Sequence, residues 1–402
     1  MKTLVDVEKG EIHNMDPEFA RCPHAAYAQV REQCPVGRSS FNGAVILARY
    51  EDVAWALRQP ELFSSKMDFK VLLGNERPMI PQQVDPPEQT RYRRLLDPHF
   101  SRKKMEKLAP QIRDHANQLI DGFIDDGGCE FDAAFAIPLP CTAFLALFGL
   151  PASELQSFLE MKDGIIRPQN LVPEGGDTSF EAMTEARRAT GRRIYAYFQD
   201  EIETRRRRPG DGLLEQLLVA EIEGEKLDEN EILDICFLLL LAGLDTVTAT
   251  LGCNIAYLAA NPEERRLLAQ DTPVVPGAVE ELLRWETPVT SVPRIATQDV
   301  AVGDVTIREG ELVSLMLGAA NTDGAHFSEA DTVDFGRERN LHLAFGGGPH
   351  RCLGSHLARM ELRVAMEEWH RRLPDYEVAP GKTPRYSPGI REVMYLPLVW
   401  NR

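Results

Sequence analysis

The feature that most constrains the fold of this chain is one long helical segment. Residues 228–260 are predicted to form a single helix, because Asp228 and Glu231 have the spacing of a capping box and Asn261-Pro262 marks the end. Such a helix would be about 50 Å long at about 1.5 Å per residue, more than twice the usual length. It is apolar almost all round over residues 232–242, so it is predicted to run through the core of the protein.

The middle of this helix reads Ala242-Gly243-Leu244-Asp245-Thr246, which is unusual for an apolar core helix. Glycine costs about 1 kcal/mol relative to alanine in a helix, and an unpaired buried acid costs more. One interpretation is a helix kink in which Thr246 bonds a backbone carbonyl. The other is a groove where a small ligand meets the helix, with a proton path beside it. A membrane span is disfavoured, because the uninterrupted apolar run is about 10 residues against about 20 needed.

A second chemical feature is the cysteine loop, Phe345-Gly346-Gly347-Gly348-Pro349-His350-Arg351-Cys352-Leu353-Gly354. Its glycines and proline exclude a helix interior, and a helix is predicted from Ser355 to Leu373. Cys352 is therefore expected where a loop meets a helix N-terminus, which favours a thiolate suited to a soft metal or haem iron. The alternatives are a small buried hydrophobic cysteine and a plain turn. A phosphate-binding loop would need a Gly-Lys-Ser/Thr ending, which is missing here.

Composition is that of an ordinary globular protein. Of 402 residues, 43% are hydrophobic and 27% charged, and the formal net charge of −17 argues against a nucleic-acid-binding protein. The seven cysteines contain no Cys-x-x-Cys pair, so neither a zinc site nor a disulfide framework is indicated. Residues 1–20 are polar and acidic, which predicts a cytoplasmic protein without signal peptide or anchor. No repeat or linker is visible, so one domain over residues 1–402 is expected.

These motifs together resemble the cytochrome P450 family. The cysteine loop is similar to the family's haem-binding pattern, Phe-Gly-x-Gly-x-His-x-Cys-x-Gly, at every specified position. Residues 242–246 are similar to its oxygen-binding motif, and Glu281-Leu282-Leu283-Arg284 to its structural Glu-x-x-Arg. The resemblance covers roughly residues 41–399. It implies a mainly α (α+β) cytochrome P450 fold, with a long central helix and a small β-rich lobe, enclosing one haem b.

The resemblance also implies residue roles. Cys352 is expected to be the proximal iron ligand, and Asp245 and Thr246 to deliver protons during oxygen activation. Glu281 and Arg284 are expected to brace the haem pocket. The other expected haem-binding residues are Arg93, Arg294 and His350 as propionate partners, Gln89 at a position often filled by histidine, and Phe345 and Gly346 in the cysteine loop.

The implied reaction is monooxygenation, in which one oxygen atom of O2 enters an unactivated C–H bond of the substrate. The short form resembles bacterial members served by a ferredoxin and an NAD(P)H-dependent ferredoxin reductase, and a monomer that binds no membrane is expected. Two alternatives use the same fold: a peroxide-driven peroxygenase and a non-enzymatic haem-thiolate sensor. The intact pair Asp245-Thr246 argues against the first, and the lack of an effector domain against the second.

The expected substrate pocket is mainly apolar, which predicts a hydrophobic small molecule such as a terpenoid, steroid or fatty-acid derivative. The Leu-Asp-Thr-Val run at residues 244–247 resembles that of terpenoid hydroxylases such as camphor hydroxylase. The candidate pocket residues are Met79, Ile80, Leu241, Gly243, Thr290, Val292, Val393 and Met394. The first two belong to an irregular apolar segment, residues 63–84, which is either functional or a loop packed on the core.

Outside these motifs, the sequence predicts short strands and further helices. A hairpin is expected over residues 36–48 with Gly43 at its turn, and a loop over residues 167–178. A helix with prolines in its first turn is expected from Asp85. Further helices are predicted over residues 102–126, 142–148, 152–165, 180–207 and 275–285.

Overall fold

The computed structural model of the chain describes residues 4–21, 23–67, 73–173, 176–222, 224–270, 272–387 and 390–401. The chain forms two compact units. The first unit consists of Met1–Ser65, Ala109–Ala136 and Thr246–Arg402. The second unit consists of Lys66–Leu108 and Ile137–Asp245.

Helices make up most of the regular structure, as expected for a mainly α fold with a smaller β part. The described helices are α1 (Pro17–Arg21), α2 (Pro23–Gln33), α3 (Tyr50–Ala56), α4 (Glu88–Leu96), α5 (Arg102–Met105), α6 (Ala109–Asp121), α7 (Pro138–Phe148), α8 (Leu155–Ile166), α9 (Phe180–Arg207), α10 (Leu213–Val219), α11 (Glu229–Ala260), α12 (Pro262–Gln270), α13 (Val275–Trp285), α14 (Leu317–Asn321) and α15 (Ser355–Arg372).

The strands are short, and most of them belong to the first unit. They are β1 (Val5–Asp6), β2 (Glu11–Ile12), β3 (Val36–Ser39), β4 (Val45–Leu47), β5 (Phe63–Ser64), β6 (Gly128–Glu130), β7 (Glu221–Ile222), β8 (Glu225–Lys226), β9 (Val292–Ala296), β10 (Val300–Val302), β11 (Val305–Ile307), β12 (Leu312–Leu315), β13 (Glu377–Val378), β14 (Arg385–Tyr386), β15 (Val393–Tyr395) and β16 (Pro397–Val399).

The main sheet of the first unit has the strand order β1-β2-β3-β4-β12-β9-β5. Strands β3 and β4 form the predicted antiparallel hairpin, and β12 pairs parallel with β4 and antiparallel with β9. This register places Arg294 of β9 opposite Val313 of β12. Val313 and its neighbour Leu315 are completely buried in the core beneath the sheet, so the strand that carries Arg294 is fixed by apolar packing.

The helix that follows the cysteine loop, α15, is anchored by an aromatic cluster. Trp369 is completely buried, with its ring centroid 4.7 Å from that of Phe131 and 5.2 Å from that of Phe135. Buried aromatic pairs contribute about 0.5–1.5 kcal/mol each beyond their burial. Arg113 of α6 adds hydrogen bonds to Glu367 and Glu368 on the same helix. The contacts at the C-terminal end of α15 therefore fix the position of the whole helix, including its first residues, which follow the cysteine loop.

The second unit is built around α8 and α9. The two helices approach closely at Gly164, where a Cβ would lie 2.3 Å from the hydroxyl oxygen of Thr190. Phe158 packs edge-on against Tyr197, with the ring centroids 5.2 Å apart. Glycine at this contact lets α8 lie against α9, which fixes the end of α8 and the residues that follow it.

Helix α11 contributes residues to both units and begins with the predicted capping box. The backbone N–H of Asp228 donates to Glu231 at 2.7 Å, and that of Glu231 donates to Asp228 at 2.8 Å. By length and composition α11 could cross a membrane, but 78% of its most apolar stretch is buried inside the protein. That burial is typical of the core helix of a globular protein.

Several predicted boundaries differ from the structure, and prolines explain two of them. Residues 102–126 do not form one helix, since α5 ends at Met105 and Pro110 lies in the first turn of α6, where a missing N–H costs little. In the same way α7 begins at Pro138, four residues earlier than predicted. The prolines after Asp85 precede α4, which begins at Glu88.

Two predicted segments fall partly outside the described residues. In the irregular apolar segment, residues 68–72 are not described, and the described part contains β5 followed by turns from residue 73. Residues 174 and 175 of the predicted loop over 167–178 are likewise not described. Cys22, one of the seven cysteines, also lies outside the described residues.

Candidate active site

The cysteine loop folds back on itself immediately before α15. The backbone N–H of Cys352 donates to the carbonyl oxygen of Phe345 at 2.8 Å, so the first residue of the loop lies beside the cysteine. Gly346 and Gly348 have φ of +64° and +61°, in the left-handed region that favours glycine. A Cβ on Gly348 would also lie 2.1 Å from the carbonyl oxygen of Leu57. Cys352 therefore sits at the predicted junction of a glycine-rich loop and a helix.

Cys352 differs from the other described cysteines in being exposed. Burial raises the pKa of the Cys129 thiol to about 12 and also raises the pKa of the Cys236 and Cys253 thiols. These groups stay protonated near neutral pH and cannot act as thiolates. The buried or half-buried cysteines are Cys34, Cys129, Cys141, Cys236 and Cys253.

The surroundings of Cys352 fit a haem better than a bare metal ion. Within the described ranges, no group of three or more His, Cys, Asp or Glu side chains could hold a metal. A metal at Cys352 would therefore need most of its ligands from elsewhere, and the nitrogens of a porphyrin supply them. Glycine at residues 346–348 removes side chains from the loop and lets a flat ligand approach its backbone.

Helix α11 has an accessible stretch in its otherwise buried middle. Ala242 is exposed, and Gly243 and Thr246 are half-buried, whereas Leu244 and Val247 are buried. Ala242 and Thr246 are four residues apart and share one face of the helix. The helix runs on without a break from Glu229 to Ala260. The groove interpretation of the motif requires an accessible stretch of this kind on the helix.

The carboxylate of Asp245 is only 1% exposed and is held by two cations of the second unit. Arg167 donates to its two oxygens at 2.8 and 3.1 Å, and the Nζ of Lys162 lies 3.5 Å away. Burial lowers the pKa of Lys162, but the carboxylates of Asp245 and Asp163 outweigh it and raise that pKa on balance. Because the acid is paired, it avoids the penalty of an isolated buried charge.

The predicted propionate partners lie on one helix of the second unit and on two elements of the first. In the second unit, Gln89 is buried on α4, and Arg93, one turn later, donates to Asp97 at 2.8 Å. In the first unit, Arg294 is buried on β9 and donates to the carbonyl oxygen of Pro293 at 2.7 Å. His350 ends a short 3-10 turn within the cysteine loop.

Glu281 and Arg284 form the predicted pair, completely buried on α13. Arg284 donates to both Glu281 oxygens at 2.8 and 2.9 Å, and to the carbonyl oxygens of three residues that precede the cysteine loop. Burial alone would raise the pKa of Glu281, but the hydrogen bonds from Arg284 and Arg337 outweigh burial and lower that pKa, so the carboxylate stays ionised. The three carbonyl acceptors belong to Asn321, Ala330 and Thr332.

The candidate pocket residues are divided between the two units. In the second unit, Met79, Ile80 and Leu241 are buried, and Gly243 faces the ring of Phe144, 3.0 Å from where a Cβ would stand. The candidates in the first unit are Thr290 and Val292, which are half-buried, Val393, which is completely buried, and Met394, which is exposed.

Sequence analysis did not identify the Asp245 partners Lys162 and Arg167, nor the additional Glu281 partners Arg337 and Asn340. Lys162 and Arg167 come 83 and 78 residues before Asp245, and Arg167 was assigned to a loop. Arg337 donates to Glu281, with 3.0 Å for its shorter bond, and Asn340 donates to it at 2.9 Å. No local pattern pairs residues so far apart along the chain.

Comparison with known proteins identifies the family of this chain. The sequence model of the cytochrome P450 family matches residues 38–385. Mycinamicin IV hydroxylase/epoxidase of Micromonospora griseorubida is 35% identical over 391 residues, 93% of this chain and 94% of that protein. Vitamin D(3) 25-hydroxylase of Pseudonocardia autotrophica is 33% identical over 374 residues, 90% of this chain and 89% of that protein.

A solved structure gives the same result for the fold. A cytochrome P450 of Bacillus megaterium, in complex with testosterone, superposes with a TM-score of 0.87 and 27% identity, covering 96% of this chain and all of that one. The helical fold and the cysteine loop define a haem-thiolate protein. The chain belongs to the cytochrome P450 family. The cofactor of this family is haem b, and its members are oxidoreductases that use O2 on small-molecule substrates.

Proposed function

We propose that this protein is a cytoplasmic, monomeric monooxygenase that inserts one oxygen atom of O2 into an unactivated C–H bond of a hydrophobic small molecule. Its electrons come from a ferredoxin and an NAD(P)H-dependent ferredoxin reductase. The observation that carries the proposal is the buried, paired Asp245 beside the half-buried Thr246 on an accessible face of α11. The two units act as one catalytic domain, since the family match runs through segments of both.

Cys352 is the proximal ligand in this proposal. When bound, the haem supplies thiolate-supported activation of dioxygen. Arg93, Arg294 and His350 balance the propionate charges, with Gln89 as a further hydrogen-bond donor. Phe345 and Gly346 keep the loop backbone folded toward the cysteine.

Thr246 and Asp245 supply protons. The Thr246 hydroxyl can hold a water molecule or a proton at its oxygen, and the Asp245 carboxylate next to it can resupply that proton. Because Arg167 and Lys162 hold Asp245, the carboxylate must exchange one of these contacts to take up a proton from solvent. The two cations therefore determine how readily the Asp245 carboxylate is reprotonated.

The substrate is a hydrophobic molecule of the terpenoid, steroid or fatty-acid kind, with the steroid class placed first. The Pseudonocardia autotrophica relative is named for acting on vitamin D(3), and the Bacillus megaterium structure contains testosterone. The candidate pocket residues are mainly apolar, which suits such ligands.

Titration of the ferric protein with a panel of steroids, terpenoids and fatty acids tests the function and the substrate together. A low-spin to high-spin shift with one class, followed by a hydroxylated product in the presence of ferredoxin, reductase and NAD(P)H, is expected. Product formation with peroxide but not with the electron-transfer partners would instead identify a peroxygenase. A hydroxylated fatty acid without any steroid product would overturn the order of substrate classes.

Thr246→Ala is expected to keep haem and substrate binding but to divert electrons to hydrogen peroxide. Loss of the hydroxyl interrupts proton delivery, so product per NAD(P)H consumed should fall by about tenfold or more. Thr248→Ala is the matched control, because that hydroxyl donates to the carbonyl oxygen of Ala136 at 3.0 Å. Fully coupled turnover in Thr246→Ala would contradict the proton-delivery role.

Asp245→Asn is expected to slow turnover by about a hundredfold or more, because the amide cannot resupply a proton. The substrate-induced spin shift should persist. Asp234→Asn is the control, since Asp234 is a second buried acid of α11 that pairs with Arg77 at 2.9 Å. Both variants lose a buried ion pair, so equal losses of turnover per folded molecule would reduce Asp245 to a structural role.

A further inference from the structure

Glu280, next to the structural Glu281, has its own set of partners around the cysteine loop. Its carboxylate, 31% exposed, accepts hydrogen bonds from Arg359 of α15 at 2.6 and 2.8 Å. A third bond, 3.1 Å long, joins it to the Nε2 of His342, whose side chain is 2% exposed. One carboxylate of α13 is thus tied to residues on both sides of the cysteine loop.

His342 transmits this contact to the backbone of the loop. The N–H of Ala344 donates to the Nδ1 of His342 at 3.2 Å, so Nδ1 must be the unprotonated nitrogen. The proton of the neutral ring is therefore on Nε2, where it is donated to Glu280. The imidazole bridges the Glu280 carboxylate and the residue directly before Phe345.

Arg359 transmits the contact to the side chain of Phe345. Its guanidinium carbon lies 4.3 Å from the centre of the Phe345 ring, a cation–π distance. The two bonds to Glu280 orient the guanidinium plane, since a bidentate pair allows little rotation. Phe345 is also the residue whose carbonyl oxygen accepts the N–H of Cys352 at 2.8 Å.

The charge of Glu280 favours the arrangement in which His342 and Arg359 both donate hydrogen bonds to its carboxylate. Burial raises the pKa of Glu280, but the hydrogen bonds from His342 and Arg359 lower it more, to about 2. Glu280 is therefore an anion throughout the range in which the protein would work, and both partners present N–H groups to it. The contacts run without interruption from Glu280 to the Cys352 backbone.

We propose that Glu280 is a positioning residue for the haem ligand: through His342 and Arg359 it holds Phe345, and through Phe345 the backbone N–H that orients Cys352. The inference rests on the proposed role of Cys352 as the proximal ligand. Glu281 accepts bonds from residues 334–340, which precede the cysteine loop, whereas Glu280 positions the cysteine loop itself.

The test is the stability of thiolate ligation in Glu280→Gln. The side chain is nearly isosteric but uncharged, so its hold on Arg359 and His342 weakens. The red-shifted Soret band of the reduced carbon monoxide complex should convert to the short-wavelength form about tenfold faster or more, since outer-shell changes cost metal sites about 10–100-fold. Hydrogen exchange of the peptide containing residues 343–353 should also accelerate, whereas the urea midpoint should stay close to the wild-type value.

Glu263→Gln is the matched control, since Glu263 is 88% exposed and its 3.3 Å contact with Arg266 lies on α12. It should change neither the Soret lifetime nor the exchange of the loop peptide. A lifetime in Glu280→Gln within twofold of wild type would overturn the proposal. If the wild-type protein itself lacks the red-shifted band, the proposed function fails instead, so the two failures are distinguishable.

Two substitutions of His342 separate its contacts. His342→Gln can keep a donor to Glu280 but loses the acceptor for the Ala344 N–H, and His342→Asn does the reverse. Both should shorten the Soret lifetime. In His342→Asn the link to Glu280 is already cut, so adding Glu280→Gln should cost less than it does alone. Strict additivity of the two changes would show that Glu280 acts without His342 and would overturn the path through it.

Discussion

Replacement of Cys352 by serine is expected to abolish monooxygenase activity and the red-shifted Soret band of the reduced carbon monoxide complex. A serine hydroxyl is a harder, far less acidic ligand than a thiol, so the electron donation that favours O–O cleavage is lost. The loop itself should survive, because the bond from residue 352 to Phe345 uses the backbone N–H. Visible spectra and product analysis of the purified variant measure both effects.

Cys129→Ser is the control for this substitution. Cys129 is half-buried on β6, and burial raises the pKa of its thiol to about 12, so it has no thiolate to lose. Its spectrum and activity should match the wild type. A Cys352→Ser protein that keeps the red-shifted band would place the iron ligand elsewhere and would remove the basis of the proposed function.

Arg284→Ala is expected to have the largest effect on stability. Arg284 is completely buried. Its removal takes one hydrogen-bond donor from the Glu281 carboxylate and one from each of three backbone carbonyl oxygens, those of Asn321, Ala330 and Thr332. Breaking a buried ion pair from one side costs about 3–5 kcal/mol. Because whole proteins are stable by only about 5–15 kcal/mol, we expect a large fall in the urea midpoint and poor haem retention.

Two further variants calibrate this result. Arg284→Lys keeps the charge but cannot span the same set of acceptors, so an intermediate midpoint is expected. Arg266→Ala removes an arginine that is 53% exposed and paired with Glu263, which should cost less than about 1 kcal/mol. A midpoint in Arg284→Ala equal to that in Arg266→Ala would contradict the bracing role.

Much of the fold was predictable because its signals are local. The bounds of α9 and α13 were predicted to the residue, since apolar spacing and turn residues lie within each segment. The capping box of α11 is formed by two side chains three residues apart. The predicted helix over residues 102–126 was wrong because the position of Pro110 in a first turn was overlooked.

The candidate site was predictable in its residue types but not in its connections. The cysteine loop, the acid–alcohol pair and the Glu-x-x-Arg pair each lie within a few residues of sequence. Whether Asp245 would be an isolated or a paired acid depended on Arg167, 78 residues away. The partners of Glu280 are 62 and 79 residues away, on a loop and on another helix.

By itself the sequence determined the long apolar helix, the glycine-rich loop around Cys352 and the polar residues in the helix centre. These depend on periodicity, capping and backbone freedom, which act over short stretches of chain. Only the tertiary structure decided which charges meet and which glycines face a neighbouring backbone, such as Gly348 against Leu57. The physical reason is that ion pairs and close approaches form between segments that packing brings together. The distance between two such groups in space cannot be read from their separation along the chain.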